Sequence, residues 1–378
     1  MLIKILCVAG ARPNFIKIAP VLRALSARRT FAPRLVHTGQ HYDDKLSRVF
    51  FEDLGIPKPD IELGVGSGSH ATQSAELMRR FEPVLHAEQP HAVLVVGDVN
   101  STIACALVTS KFQLAKPFRC SIGQRRRPLM IHVEAGLRSF DDDMPEEINR
   151  RLTDALSEVL FVSEPAGVTN LAREGIVNGR VHFVGNVMID SLLAVKDKAM
   201  RSGVLDRLGL QSSKYGLVTL HRPGNVDDPG TLLPLLAGLD RIAATLPLVF
   251  PVHPRTHARL QGLGISFDPS RWTLTEPVGY LDFVKLMACA RIVLTDSGGI
   301  QEETTVLGVR CITLRDTTER PCTAEQGTNI LAGTIPEGIY EAFTKSLELP
   351  VGDHRPQLWD GRAAERIAVA TESIFSEG

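Results

Sequence analysis

The chain has 378 residues, 44% of them hydrophobic, which is enough for two buried cores, so two domains are expected. A formal net charge of −1 gives no support to a nucleic-acid or anionic-membrane partner. The six cysteines are scattered without CxxC spacing, which favours reduced thiols over a disulfide framework or a zinc site.

The N-terminus predicts a strand and not a targeting segment. Leu2 to Ala9 lacks the length and cleavage site of a signal peptide, and no stretch is long enough to cross a bilayer, so a soluble cytoplasmic α/β protein is expected. The following helix lacks GxGxxG, so a nicotinamide or flavin cofactor receives little support. Arg12 and Lys17 flank the start of that helix, where cations could meet a phosphate, although each alone is more often a solvated surface charge.

Two acidic residues follow buried strands in the first half of the chain. Ala92 to Val96 predicts a strand that stops at Asp98, and Met130 to Val133 predicts a strand that ends in Glu134. The carboxyl ends of central strands are where open α/β sheets bind ligands. Asp98 is equally well explained as the N-cap of the next helix, whereas Glu134 has no evident capping duty and is favoured as a site residue.

A helix predicted from Pro145 adds two more candidate carboxylates. Glu146 and Glu147 lie in its first turn, where carboxylates often only interact with the helix dipole, so the local sequence prefers neither. The other polar residues at helical spacing on the face of Glu146 are Asn149, Arg150 and Asp154.

The second half of the chain places two histidines at predicted strand ends. Arg201 to Lys214 has no clear period and is interpreted as a linker. Gly216 to Leu220 then predicts a strand that ends at His221, and Leu248 to Phe250 predicts one that runs out at His253. A lone histidine is usually structural, but two at such positions favour a site.

A strand followed by two glycines marks a candidate anion site. Arg291 to Leu294 predicts a buried strand that breaks at Ser297-Gly298-Gly299 into a helix over Ile300 to Leu307. Such a helix start offers free N–H groups, a favourable macrodipole and no Cβ atoms to obstruct an anion. The commoner role of Ser-Gly-Gly is an ordinary N-cap and turn. The carboxylate pair that follows it and the sequence RDTTER beyond favour a nucleotide-diphosphate site.

From near the first residue to about Gly333, a set of motifs in one order resembles the non-hydrolysing UDP-N-acetylglucosamine 2-epimerase family. The motifs are GARPNFIK, TGQHYD, VVGDVNST, HVEAGLRSFD, MPEEINR, TLHRP, PVHP, LTDSGGIQEE and LRDTTERP. The resemblance implies an α/β fold of two Rossmann-like domains facing across a cleft, of the glycosyltransferase-B type. It also implies interconversion of UDP-N-acetylglucosamine and UDP-N-acetylmannosamine without metal or nicotinamide, in a homodimer that supplies sugar nucleotide for cell-surface polysaccharide.

The resemblance also assigns roles to individual residues and ranges. It implies domains at 1–200 and 201–358 and a C-terminal helix at 359–378 that returns toward the first domain. The catalytic or sugar-contacting positions it implies are Asp98, Glu134, Glu146 and His221. The nucleotide-binding positions it implies are Arg12, Lys17, Phe283, Ser297, Gly298, Gly299, Glu303 and Arg320.

The implied chemistry suits these residue types. The C2 proton of the sugar is not beside a carbonyl, so its removal becomes feasible only if UDP leaves C1 as the proton leaves C2, giving a glycal. That step needs a carboxylate base near C2 and strong stabilisation of the departing diphosphate. An oxidation route would require NAD, and the missing dinucleotide fingerprint argues against it.

Three positions depart from the family pattern. HRPGN at His221 stands where many members have an HRREN-like segment, and Val278 stands where some relatives have a binding Gln. QHYD at Gln40 replaces a QHRE-like segment associated with a regulatory UDP-N-acetylglucosamine site, so the resemblance does not extend to that regulation. Lys116 to Met130, with three consecutive arginines, looks like extra sequence and is interpreted mainly as a solvated surface loop, the alternative being a cleft rim or a subunit contact.

Other functions remain open on the sequence. The same chemistry on a related UDP-sugar, such as UDP-diacetamido-glucuronic acid, is one alternative, and a hydrolysing epimerase is another. The fold also allows a glycosyltransferase, and a non-catalytic sugar-nucleotide sensor is a further possibility. The retained carboxylate set favours the epimerase over the last two.

Overall fold

The computed structural model describes residues 2–39, 53–177, 179–349, 352 and 355–376, with only the backbone of Arg12. The QHYD motif lies outside these residues. The chain divides into two compact units, which comprise residues 1–191 with 357–378 (the first unit) and residues 192–356 (the second unit).

The first unit is built on a parallel sheet. Its strands are β1 (Ile3–Ala9), β2 (Phe31–His37), β3 (Ile61–Glu62), β4 (Ala92–Val96), β5 (Phe118–Cys120), β6 (Gly123–Arg125), β7 (Leu129–Ala135), β8 (Val159–Val162) and β9 (Val181–Phe183). Among the described residues, seven of them form one sheet in the order β3-β2-β1-β4-β7-β8-β9, with parallel neighbours. All residues of β4 are buried, as expected of a strand covered on both faces.

The second unit repeats this plan. Its strands are β10 (Gly216–Thr219), β11 (Leu248–Pro251), β12 (Trp272–Thr275), β13 (Ile292–Thr295), β14 (Arg310–Thr313) and β15 (Asn329–Leu331). They form a parallel sheet in the order β12-β11-β10-β13-β14-β15, which is the strand order of the Rossmann fold. Two Rossmann-like units of the glycosyltransferase-B type are therefore the fold of this chain.

Helices connect the strands in both units. Within the described residues they are α1 (Arg12–Ser26), α2 (His70–Glu88), α3 (Asn100–Lys111), α4 (Pro145–Leu156), α5 (Pro165–Arg173), α6 (Val187–Met200), α7 (Val204–Arg207), α8 (Pro223–Val226), α9 (Pro229–Ala243), α10 (Pro254–Gly262), α11 (Tyr280–Ala288), α12 (Gly298–Leu307), α13 (Pro321–Glu325), α14 (Pro336–Glu348) and α15 (Ala363–Ser376). None of these helices combines the length and the apolar character needed to span a membrane.

The last helix, α15, packs against α1 of the first unit. Asp190 holds its N-terminus, because the carboxylate accepts hydrogen bonds from the backbone N–H groups of Ala363 (3.1 Å) and Ala364 (2.7 Å). Two backbone N–H groups that have no partner within the helix are hydrogen-bonded in this way.

Much of the segment 116–130 is exposed, as its sequence predicts, but the segment is not an irregular loop. It contains the antiparallel hairpin β5–β6, in which Phe118 and Cys120 are buried. Ser121 donates a backbone hydrogen bond to Ile374 of α15 (2.8 Å), so the hairpin packs on the C-terminal helix. Strands of three residues are too short to display a period, which explains why the pattern was missed.

Two of the three consecutive arginines of this segment are paired within the first unit. Arg125 and Arg127 both contact the carboxylate of Glu158, at 2.5 and 2.9 Å.

The predicted linker, residues 201–214, is also structured. Helix α7 lies within it, and Val204 is buried in a core cluster with Tyr215.

Candidate active site

Both sheets present polar residues at the carboxyl ends of their central strands. In each unit the strand order reverses between two neighbours, β1 and β4 in the first and β10 and β13 in the second. Ligands of doubly wound sheets bind at such a switch point. Asp98 follows β4, whereas His221 and Ser297 follow β10 and β13.

Glu134 occupies a strained position in β7. Its φ is +75°, and the pairing with β8 passes from Val133 to Ala135, so Glu134 sits on a bulge. A non-glycine residue in this backbone region is uncommon, and bulges often redirect a side chain beside an active site. The strand therefore continues past the end that the sequence predicts, with the carboxylate displaced from the regular alternation.

The carboxylate of Glu134 forms an ion pair with the ammonium of Lys17, and both side chains are almost fully buried. Gly97 makes room for the pair, because a Cβ at that position would lie 3.0 Å from Lys17 Nζ and 3.3 Å from Glu134 Oε2. The sequence places Lys17 beside the start of α1. In the structure Lys17 lies one turn further along, in the second turn of the helix. The structure thus joins a predicted nucleotide-binding lysine directly to a predicted catalytic carboxylate.

A buried histidine of β7 connects the residues around this ion pair. His132 is fully buried; its Nδ1 lies 2.7 Å from Asp154 Oδ1 and its Nε2 lies 2.9 Å from the carbonyl oxygen of Gly97. Asp154 also accepts from the backbone N–H of Gly136 (3.0 Å) and contacts Arg138 (2.8 Å). Burial raises the pKa of Asp154, but His132 and Arg138 outweigh it and hold the pKa below its ordinary value.

This network links the loop that carries Asp98 to the strand that carries Glu134, and His132 was not identified from the sequence. The available signal was a polar residue inside an otherwise apolar strand, which requires a buried partner.

Asp98 is not the N-cap of the helix that follows it. Val99 takes the N-cap position of α3 without a side-chain hydrogen bond. The carboxylate of Asp98 instead accepts from Arg150 Nε at 2.9 Å, and its backbone carbonyl accepts from Asn149 at 2.9 Å. Both partners belong to α4, so this helix positions Asp98.

The two glutamates at the start of α4 have different surroundings. Glu147 is buried, accepts from the backbone N–H and hydroxyl of Ser139 (2.9 and 3.0 Å) and is paired with Arg150. Glu146 is half-buried, and the described part of the chain provides it with no hydrogen bond or ion pair. Glu147 is therefore committed to structure, whereas the carboxylate of Glu146 is available to a ligand.

In the second unit, His221 is oriented by a buried aspartate. Nδ1 of His221 lies 2.9 Å from Asp296 Oδ1, and the other carboxylate oxygen accepts from the backbone N–H groups of His221 (3.0 Å) and Arg222 (2.9 Å). Burial raises the pKa of Asp296, but His221 and the backbone donors outweigh it and lower the pKa overall. The sequence analysis did not single out Asp296.

The second strand-end histidine has a structural role. His253 takes the N-cap position of α10 and accepts from the backbone N–H of Arg255 at 3.3 Å.

The start of α12 leaves its backbone donors without a side-chain cap. Ser297 takes the N-cap position, but its hydroxyl does not cap the helix, and no acidic residue lies in the first turn. A helix start of this kind carries free N–H groups and the positive end of the macrodipole. The geometry therefore favours the anion-binding interpretation of Ser297-Gly298-Gly299 over the ordinary turn.

Two adjacent glutamates of α12 make separate contacts in the core. Glu302 pairs with Arg320 Nε at 2.6 Å. Glu303 accepts a hydrogen bond from the hydroxyl of Tyr280 at 2.8 Å, and burial raises the pKa of Glu303 to about 7. Phe283 is partly buried on α11, packed against the core cluster that Ile300 also joins. The predicted nucleotide-binding residues of the second unit therefore lie on α12 or on the elements next to it.

Several known proteins are similar to this chain. A family model described as UDP-N-acetylglucosamine 2-epimerase matches residues 23–372. The chain is 40% identical to the UDP-N-acetylglucosamine 2-epimerase of Methanococcus maripaludis, across 91% of this chain and 92% of that protein. It is 39% identical to a UDP-2,3-diacetamido-2,3-dideoxy-D-glucuronate 2-epimerase of Pseudomonas aeruginosa, across 97% and 98%. The crystal structure of Methanocaldococcus jannaschii UDP-GlcNAc 2-epimerase in complex with UDP-GlcNAc and UDP is similar with a TM-score of 0.89 at 38% identity, across 98% of this chain and 99% of that one.

Proposed function

Because this chain belongs to the UDP-N-acetylglucosamine 2-epimerase family, we propose that it interconverts UDP-N-acetylglucosamine and UDP-N-acetylmannosamine by elimination and re-addition of UDP. The observation that carries the proposal is the buried Glu134–Lys17 pair on the bulge of β7. The pair holds a carboxylate in a fixed position beside Gly97, the residue that precedes Asp98, and a positioned carboxylate is a group that general acid–base chemistry uses.

In the proposed elimination, a carboxylate takes the proton from C2 of the sugar as the bond between C1 and the diphosphate oxygen breaks. The electron pair of the C2–H bond forms the C1=C2 double bond of a glycal, and UDP leaves with the pair of the C1–O bond. In the reverse step a proton adds to the opposite face of C2, and the UDP oxygen bonds again to C1. Inversion at C2 requires two proton-transfer groups, one on each face.

The first unit supplies the proposed acid–base groups. Asp98, Glu134 and Glu146 are the candidates, and their different surroundings support different roles. Asp98 is paired with Arg150 and Glu134 with Lys17, whereas the carboxylate of Glu146 is available to a ligand. Lys17 and Arg12 would also stabilise negative charge on the diphosphate.

The second unit supplies the proposed nucleotide site. The diphosphate would accept from the free N–H groups at Ser297-Gly298-Gly299, and His221 would donate to it or to the reacting sugar. Glu303 would accept from the ribose hydroxyls, Phe283 would contact the base, and the Glu302–Arg320 pair would hold this side of the site.

A related uronate sugar is a specific second candidate, because the Pseudomonas aeruginosa relative carries that name at similar identity. We also infer, from the family, a cytoplasmic homodimer that supplies sugar nucleotide for cell-surface polysaccharide.

The test is to incubate the enzyme in deuterated water with either UDP-N-acetylglucosamine or UDP-2,3-diacetamido-glucuronate and to follow C2 by NMR, with Glu134→Gln as the control. Deuterium at C2 of the first sugar and its epimer, with no reaction by the control, is expected. Exchange of the uronate alone would transfer the proposal to the second substrate. Epimer that retains its C2 hydrogen would contradict elimination, and accumulation of free N-acetylmannosamine would indicate a hydrolysing enzyme.

A further inference from the structure

A buried carboxylate lies at the start of α12, and the proposed reaction assigns it no role. Glu319 is 3% exposed, and its Oε1 lies so close to the helix start that a Cβ on Gly298 would approach it to 2.5 Å. The side chain is therefore within the region where a diphosphate would meet the free N–H groups of the helix.

The guanidinium groups of Arg222 and Arg315 contact this carboxylate. Arg222 Nη2 donates to Glu319 Oε1 at 3.1 Å, and Arg315 Nη2 lies 2.9 Å from Glu319 Oε2. Arg222 follows His221 on the loop after β10, and its backbone is anchored by Asp296 at 2.9 Å. The cluster therefore joins the loop after β10, the loop after β14 and the start of α12.

Arg315 has donor capacity beyond this pair. The residue is 8% exposed, and its Nη1 is buried without a hydrogen-bond partner among the residues that the structure describes. A buried, unpaired guanidinium nitrogen is costly, and arginine pairs well with phosphate oxygens. This unpaired donor belongs to a guanidinium group that already contacts the carboxylate at the start of α12, and it is available to a further oxygen acceptor such as a phosphate.

We propose that Glu319 is an internal competitor of the diphosphate: it keeps Arg222 and Arg315 paired at the start of α12 and weakens nucleotide binding by charge repulsion. This inference rests on the proposed function, which places the diphosphate at the same helix start. The repulsion acts on substrate, product and bound UDP alike, so Glu319 lowers affinity uniformly and favours release of the product. It is a residue that sets affinity and takes no part in proton transfer.

Removing the charge while keeping the shape separates repulsion from packing. Glu319→Gln should bind UDP and inorganic pyrophosphate about tenfold more tightly than the natural enzyme or better, in calorimetric titrations at low salt. Uridine, which has no diphosphate, should bind equally to both. The matched control is Glu325→Gln, which removes the same charge from an exposed position at the end of α13 and should leave all three affinities unchanged.

The outcomes distinguish this inference from the proposed function. If the natural enzyme binds neither UDP nor UDP-N-acetylglucosamine, the proposed function is wrong. If it binds UDP but a folded Glu319→Gln binds UDP no more tightly, or more weakly, the competitor role is wrong and Glu319 only organises the arginines. Should Glu319→Gln fail to fold, Glu319→Asp withdraws the carboxylate by one methylene and must still tighten UDP binding; unchanged or weaker binding would overturn the proposal.

Discussion

Neighbouring carboxylates at the start of α4 differ in what they contact, and this difference predicts their roles. Glu147→Gln should lower the free energy of unfolding by about 1–3 kcal/mol, because it disrupts the buried bonds to Ser139 and Arg150. Glu146→Gln should leave the melting temperature unchanged and lower kcat by roughly 10²-fold or more. Each variant is the control for the other in thermal melts and epimerase assays. A Glu146→Gln enzyme with normal turnover would remove Glu146 from the proposed chemistry.

The Tyr280–Glu303 pair predicts a pH-dependent affinity for the nucleotide. Since burial raises the pKa of Glu303 to about 7, its carboxylate is largely protonated below that pH and cannot accept from two ribose hydroxyls. Affinity for UDP-N-acetylglucosamine should therefore rise about tenfold from about pH 6 to about pH 8. Titration into the turnover-deficient Glu134→Gln variant measures it without catalysis.

Replacing the tyrosine tests the assignment of this pH dependence to Glu303. Tyr280→Phe removes a hydrogen bond that favours the carboxylate, so the midpoint of the pH profile should move upward. Tyr215→Phe removes another buried hydroxyl, bonded to the carbonyl of Leu286 at 2.6 Å, and should leave the midpoint in place. Identical midpoints in all three proteins would assign the titration to another group.

At the scale of elements, the hairpin β5–β6 is expected to stabilise the C-terminal helix. Phe118 is buried, and its ring centroid lies 6.0 Å from that of Phe375 on α15 and 5.2 Å from that of His91. Phe118→Ala should lower the free energy of unfolding by about 3–5 kcal/mol. The control is Ile122→Ala at the exposed turn of the hairpin, which should change it by less than about 0.5 kcal/mol.

This expectation replaces the one that follows from a solvated loop. Shortening 116–130 to a turn would leave kcat/KM and stability unchanged if the segment were only a surface connection. Because the hairpin packs on α15, deletion should instead lower the melting temperature of the first unit. A shortened protein as stable as the natural one would contradict the structural role.

At the scale of the whole molecule, the proposed function assigns proton transfer to the first unit and nucleotide binding to the second. Asp98→Asn in the first unit should reduce kcat by about 10²-fold or more and leave the Kd for UDP within about twofold. Glu303→Gln in the second unit should weaken UDP binding, because the ribose hydroxyls lose a charged acceptor. Calorimetry and steady-state kinetics on both variants check this. Equal losses of UDP affinity in the two variants would contradict the division.

The sequence alone determined the local features of both units. Continuous apolar runs predicted β4 and β13, and the polar residues that follow them, Asp98 and Ser297, were correctly placed after those strands. These features are local, because a strand buried on both faces needs a continuous apolar run and a helix start needs a particular turn. The ordered motifs added the family, which the comparisons confirm.

Only the tertiary structure decided which side chains meet. Lys17 and Glu134 are 117 positions apart, and His132 and Asp154 pair across an intervening loop and helix, so no local period connects them. Glu319 reaches Gly298 only because β14 returns beside β13. The hairpin at 118–125 owes its buried face to α15, nearly the last element of the chain. Such pairings depend on strand order and on the packing of distant elements, and neither can be predicted from the residues that are adjacent in sequence.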